Sequence, residues 1–270
     1  MKTITNNTAN LATERNKPKQ NKMNTQTQQL LKKMKLSGML RAFTTSLETQ
    51  QMTAYTTDEM IAFLVQSEWD DRLNRQTERQ LKNAKFRYNA SIEQVVYDQD
   101  RNLDKNQIMR YAECAFIENK ENIFITGSTG IGKSYIASSL GHQACLKGYK
   151  VLYVNTDKLM SRLKMAKAEG SYLKEITKIE KQDLLILDDF GIQPFDGHCR
   201  SYLMEIIEDR HGKKSTIITS QVPVKLWHEV IGEKTIADAI LDRIVHNAHR
   251  LEMEGESMRK RINKKKINEN

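Results

Sequence analysis

The chain has 270 residues, enough to bury a core in one large domain or two modest ones, with 29% charged and 39% hydrophobic residues and a formal charge of +9. It carries neither an apolar leader nor a run of about 18 apolar residues, so a soluble, cytoplasmic protein without a membrane partner is expected. Cys114, Cys145 and Cys199 are scattered and lack C-x-x-C spacing, which argues against a disulfide framework or a zinc site.

Charge is concentrated at the ends. Residues 1–22 carry +4 and residues 259–270 carry +5, which leaves 23–258 formally neutral. Such tails suit a polyanion such as DNA and equally suit a solubilising role. The N-terminal stretch, rich in Asn, Thr, Gln and Lys, reads as disordered up to about Lys22. A helical pattern follows with Leu36, Leu40, Phe43 and Leu47. Thr56 and Glu59 then form a capping box that opens a longer helix towards Lys85, with Ile61, Val65, Trp69 and Leu73 on one apolar side. Arg72, Arg75, Arg79 and Lys82 recur along it at spacings of three, four and three. That stripe fits phosphate contacts on DNA, and it also fits a solvated face paired with Glu68, Asp70, Asp71 and Glu78.

The pattern weakens from Ala90 to Asp104, a linker with a short extended piece at Val95-Val96-Tyr97. Asp104 caps a helix that runs to the turn at 119–122. Next, Ile123-Phe124-Ile125-Thr126 leads into Gly127-Ser128-Thr129-Gly130-Ile131-Gly132-Lys133-Ser134, which fits G-x-x-x-x-G-K-[ST] at every fixed position. Glycines permit positive φ and close approach of backbone N–H groups to phosphate oxygens, and the helix opening at Lys133 adds an electropositive N-terminus. Lys133 is expected to reach the outer phosphates of ATP, Ser134 to help hold Mg²⁺, and Tyr135 to lie beside the nucleotide.

The helix after this loop stops at Gly148, and strand and helix then alternate. The strand Val151–Val154 comes first, and the run Leu184-Leu185-Ile186-Leu187 later delivers Asp188 and Asp189. Asp188 is the expected second Mg²⁺ ligand, and Asp189 the group that orients or activates water. The strand Thr216–Ser220 ends near the γ phosphate in this class of sheet, which makes Gln221 or Ser220 a candidate phosphate sensor. Arg243 lies at the end of a later helix; spacing alone leaves it either a surface ion-pair residue or an arginine offered to a neighbouring subunit.

These residues resemble the IstB family of transposition helper ATPases, related to the DnaC and DnaI helicase loaders within the AAA+ superfamily. The resemblance spans about Leu30 to Lys260. It rests on Gly127–Ser134, on Leu184–Gly191, on Ser215–Pro223, on Ala237–Ala248 with the Gly255–Arg259 segment, and on Glu68–Arg87. It implies an α/β AAA+ core with a five-stranded parallel sheet in the order 5-1-4-3-2, behind a small all-α domain. By position, Arg243 matches the family's arginine finger, and Arg259 matches a second phosphate sensor. The expected organisation is a basic tail at 1–22, a helical domain at 23–90, an ATPase domain with its linker at 91–258, and a basic tail at 259–270. The implied function is an ATPase that binds ATP and Mg²⁺, forms a homo-oligomer on double-stranded DNA and assists an insertion-sequence transposase. A replicative helicase loader is the alternative. Asp189 stands where AAA+ relatives usually carry Glu, which suggests slow turnover.

Overall fold

The computed structural model describes residues 22–49, 54–97, 99–258 and 260. Nearly all of both basic tails, and Arg259 with them, lie outside the described residues. The chain divides into two compact units, Met1–Gln76 and Thr77–Asn270.

The first unit is helical. It holds α1 (residues 22–33), α2 (Ser37–Glu48) and most of α3 (Thr57–Ala84). The capping box opens α3: the Thr56 backbone N–H donates to Glu59 Oε2 at 2.8 Å and the Glu59 N–H to Thr56 Oγ1 at 3.3 Å. α2 has no side-chain cap of its own, so its free N–H groups find Glu68 on α3, whose Oε2 accepts from Gly38 N at 2.8 Å and Met39 N at 3.3 Å. Gly38 is required there, because a Cβ would stand 2.3 Å from the Ser67 carbonyl oxygen. The face of α3 that meets α2 is therefore partly polar, with Glu68 and Asp71 both buried. Ile61, Val65, Trp69 and Leu73 do line one side of α3, but that side is exposed.

The second unit is built on one parallel sheet of β1 (Asn122–Gly127), β2 (Val151–Asn155), β3 (Leu184–Phe190), β4 (Ser215–Ser220) and β5 (Ala248–Met253). Its order is β2-β3-β4-β1-β5, the expected order read from the other edge. The near-continuous apolar strands are explained by cover on both faces. One face packs Ile123, Ile125, Ile186 and Ile217 against α6 (Lys133–Leu146) and α4 (Lys105–Ala112). The other packs Phe124, Leu185, Leu187 and Ile218 against α7 (Thr156–Ala168), α9 (Gly197–Arg210), the short α10 (Trp227–Ile231) and α11 (Lys234–Val245). α8 (Tyr172–Glu180) adds Tyr172, Ile176 and Ile179 to that second core.

Local signals account for the element ends. Asp104 caps α4 through Asn106 N at 2.8 Å, and Asn155 caps α7 through Lys158 N at 3.2 Å. Gly148, at φ 92°, closes α6: its N–H reaches Cys145 O, and the Tyr149 N–H reaches Ala144 O. One difference from sequence expectation is that the helix after Asp104 is broken. Cys114 adopts a left-handed φ of 63°, and α5 (Ala115–Glu118) restarts in a new direction that buries Phe116 and Ile117 in the first core. Val95, in the stretch expected to be extended, is extended after a short 3-10 turn at Ile92–Gln94, and Val95–Tyr97 joins no sheet.

Candidate nucleotide site

The C-terminal ends of β1, β3 and β4 surround a cavity of about 510 Å³, within the range of small-molecule sites. The phosphate loop forms its floor. Gly127 needs its φ of 140° and its missing side chain, since a Cβ would meet the Met253 carbonyl oxygen at 2.2 Å. At Gly132 a Cβ would sit 2.8 Å from Arg101 Nη2, which itself donates to the Ile131 carbonyl at 2.6 Å. Lys133 folds over the loop and donates to the Gly127 and Ser128 carbonyls, each at 2.8 Å. Burial pushes its ammonium below the usual lysine range, opposed by Asp189 and Asp188.

The acids are placed by an irregularity in the sheet. β3 and β4 pair in register up to Leu187 with Ile218, and resume at Phe190 with Ser220, so Asp188 and Asp189 together face Thr219. Asp189 takes a left-handed φ of 59° there, and its N–H donates to Thr219 Oγ1 at 3.1 Å. The bulge turns both carboxylates towards the loop. Asp188 is fully buried; its Oδ1 accepts from Ser134 Oγ at 2.7 Å and from Thr219 Oγ1, and its Oδ2 accepts from Tyr153. Burial and the bond to Asp188 hold the Tyr153 phenol protonated, as a donor. Asn155, at the end of β2, donates to Asp189 Oδ2 at 3.3 Å.

The Ser134 hydroxyl and the Asp188 carboxylate are a hard-oxygen pair at hydrogen-bond distance, the donor set Mg²⁺ takes when phosphates and water complete its shell. Among the described residues no cluster of three or more His, Cys, Asp or Glu could hold a metal. The fit is thus to a nucleotide-borne divalent cation rather than to a caged one.

The family model for the IstB-like ATP binding protein matches residues 29–266. The chain belongs to that family. A related insertion-sequence ATP-binding protein of Sinorhizobium fredii, y4pL, is 41% identical over 87% of this chain and 96% of its own. The IS21 ATP-binding protein of Pseudomonas aeruginosa is 30% identical over 85% of this chain and 87% of its own. Among solved structures, DnaI matches with a TM-score of 0.56 at 22% identity, over 66% of this chain and 98% of that one. The DnaC helicase loader matches at 0.53 and 21%, over 63% and 100%. These structural likenesses establish an AAA+ fold.

In this IstB-family protein the loop residues Gly127 to Ser134, with Tyr135, Asp188, Asp189 and Gln221, gather at one end of the sheet. Gln221 accepts from Thr129 Oγ1 across the cavity, whereas Ser220 turns away to the Phe190 carbonyl. Arg243 lies at the opposite end of the sheet, where the strands begin. It pairs with Glu208, its carbonyl meets His211 Nδ1 at 3.0 Å, and the next carbonyl, of Ile244, accepts from Asn122. Of the basic stripe, Arg72 bonds Glu68 at 2.7 Å and Arg75 bonds Asp71 at 2.7 Å. Arg79 and Lys82 are exposed and make no ion pair among the described residues.

Sequence reasoning missed one wall of the cavity. Arg87, Tyr88, Gln94, Val95, Val96 and Arg101 come from the segment after α3, and Met258, whose N–H donates to the Gly130 carbonyl at 2.9 Å, comes from beyond β5. The segment after α3 has no periodicity to announce this. Its signal was composition alone: aromatic and basic residues, with Val95 and Val96, in a stretch otherwise read as a connection.

Proposed function

We propose that this chain is an Mg²⁺-dependent ATPase of an insertion sequence, which assembles with copies of itself on duplex DNA under the control of ATP and assists the element's transposase. The observation that supports the reading is the placement of Arg243 at the end of the sheet away from the cavity. Lys133, Ser134, Asp188 and Asp189 converge on the cavity, while Arg243 sits at the other end of the sheet. A guanidinium so far from its own loop is suited to a neighbour's nucleotide. The insertion-sequence names of the relatives support the biological setting.

In this reading the loop amides and Lys133 bind and orient the phosphates. Ser134 and Asp188 would hold Mg²⁺, which supplies charge neutralisation on the transferred phosphoryl group. Asp189, fixed by the bulge and by Asn155, orients the attacking water and takes its proton. Nucleotide bound between copies favours the assembled state by its differential affinity, and hydrolysis removes that preference. DNA contacts would be to phosphates, hence salt-sensitive and largely independent of sequence. Arg79, Lys82 and the basic tails are candidates, with Arg72 and Arg75 contributing through whatever their carboxylate pairs leave free.

Mixing variants tests the shared site. Arg243→Ala and Lys133→Ala proteins should each be inactive alone and should recover phosphate release when combined. No recovery at any ratio removes the trans role of Arg243.

A further inference from the structure

Arg87 is not explained by the motifs. It lies three residues beyond the end of α3, and its Nη1 stands 3.4 Å from Asp189 Oδ2 and 3.5 Å from Asp188 Oδ2. We propose that Arg87 is a terminal-phosphate ligand supplied by the same chain, a specificity residue that lets the site distinguish a nucleoside triphosphate from a diphosphate. The inference rests on the nucleotide reading above.

Three observations converge on it. First, Arg87 and Ser134 bind the two oxygens of one carboxylate: Ser134 Oγ is 2.7 Å from Asp188 Oδ1, and Arg87 Nη1 is 3.5 Å from Asp188 Oδ2. The guanidinium and the loop hydroxyl therefore flank the same carboxylate. Second, Nη1 makes both acid contacts, and the guanidinium carbon lies 5.5 Å from the centroid of the Tyr88 ring. Among the described residues Nε and Nη2 of Arg87 have no hydrogen-bond partner, so two of its three nitrogens remain for a further acceptor. Third, Arg87 lines the same cavity as Thr129, Lys133 and Ser134, where the acids mark the end at which a terminal phosphate is attacked. A purely neutralising counter-ion needs one contact with each acid. It does not need open donors on the cavity that the phosphate loop lines. A planar fork that holds carboxylates with one nitrogen and a phosphoryl oxygen with another is a geometry arginine offers and lysine does not.

The test is binding, measured by titration calorimetry on the full chain with Mg²⁺, using a non-hydrolysable ATP analogue and ADP. Arg87→Ala should weaken the analogue by about tenfold to a hundredfold, the value of a charge-assisted hydrogen bond, while changing ADP affinity by less than about twofold. Arg87→Lys should recover only part of the loss, and melting curves of both variants establish that they are folded. An equal loss for both nucleotides, an unchanged analogue affinity or a tighter one each overturns the proposal. If the unaltered chain binds neither nucleotide, the nucleotide reading itself falls. If it binds both and Arg87→Ala leaves the preference intact, only the role of Arg87 falls.

Discussion

The two ends of the sheet each bury a cation, and they do so in opposite ways. At the nucleotide end Lys133 is 6% exposed and is held by two loop carbonyls. At the other end Arg210 is 2% exposed, and its guanidinium bonds Thr216 Oγ1 and the carbonyls of Ile179, Gln182, Asp183 and Ser215. Burial lowers both groups from their ordinary values. Arg210 is saturated by oxygens where α8 and α9 meet the starts of β3 and β4, two of which, Ile179 O and Asp183 O, also accept backbone N–H groups, so it acts as a structural clamp. Lys133 donates to two carbonyls of a loop whose geometry suits a ligand that comes and goes. Buried charge marks a functional site only where its partners are exchangeable.

The largest effect that tests this contrast is on binding. Lys133→Met should reduce ATP affinity more than a hundredfold by removing a charge on the phosphates, the equivalent of about 3 kcal/mol, whereas Arg210→Met should leave the affinity of the folded fraction within about twofold. Calorimetry on both variants decides it, and a large loss in Arg210→Met would break the comparison. Next in size is stability. Arg210→Met removes the buried guanidinium's hydrogen bonds to Thr216 and to the four carbonyls and should cost about 3 kcal/mol in denaturant unfolding. Lys133→Met removes a desolvated ammonium and should cost less than about 1 kcal/mol or stabilise the fold.

The same contrast explains what could be read from the chain. The loop and the acids were legible because their chemistry is local: eight contiguous residues after an apolar strand, and two acids at the end of another. The sheet order followed from the family resemblance alone, whereas the alternation of apolar runs with helices pointed only to a parallel sheet. Arg210 was illegible, since a basic residue in the last turn of a helix ordinarily faces solvent and complements the dipole. Arg87 was illegible for a related reason: nothing in an aperiodic segment predicts which side chain tertiary packing brings to the acids. The bulge at Asp188 and Asp189 lies in a sequence that reads as an unbroken strand, and only the offset between Leu187 and Phe190 reveals it. The exposed side of α3 misleads in the other direction, because the apolar stripe at Ile61, Val65, Trp69 and Leu73 is not the face that meets α2.

A smaller effect sharpens the account of the acids. The left-handed conformation of Asp189 costs a non-glycine residue about 1 kcal/mol, and its carboxylate adds repulsion with Asp188. Asp189→Gly should therefore raise the unfolding free energy by up to about 1 kcal/mol while abolishing ATP turnover, and Asp189→Asn should keep the bulge with little change in stability. Calorimetric melting set beside phosphate release checks the pair. A destabilised glycine variant would mean that the Asp189 side chain, through Asn155 and Arg87, holds the bulge in place.

The smallest effect is the pH dependence of stability, and its sign follows from Lys133. Folding lowers its pKa below the unfolded value of 10.5, so between those two values the unfolded chain binds more protons than the native one. Stability contributed through this group must then rise with pH across that window and be flat on either side. The charged ammonium is the form that burial penalises, and its loss removes the penalty. Lys133→Met lacks the group, so the unfolding free energy of the unaltered chain minus that of the variant should increase as pH rises through the window that ends at 10.5. Saturating Mg²⁺ and ATP should suppress the trend, because phosphates keep the ammonium protonated in the native state. Parallel denaturant titrations along the pH series measure it; a difference that stays flat or falls with pH would mean that the two loop carbonyls and the acids already compensate the buried charge, and that Lys133 resembles Arg210 more closely than the geometry of its partners implies.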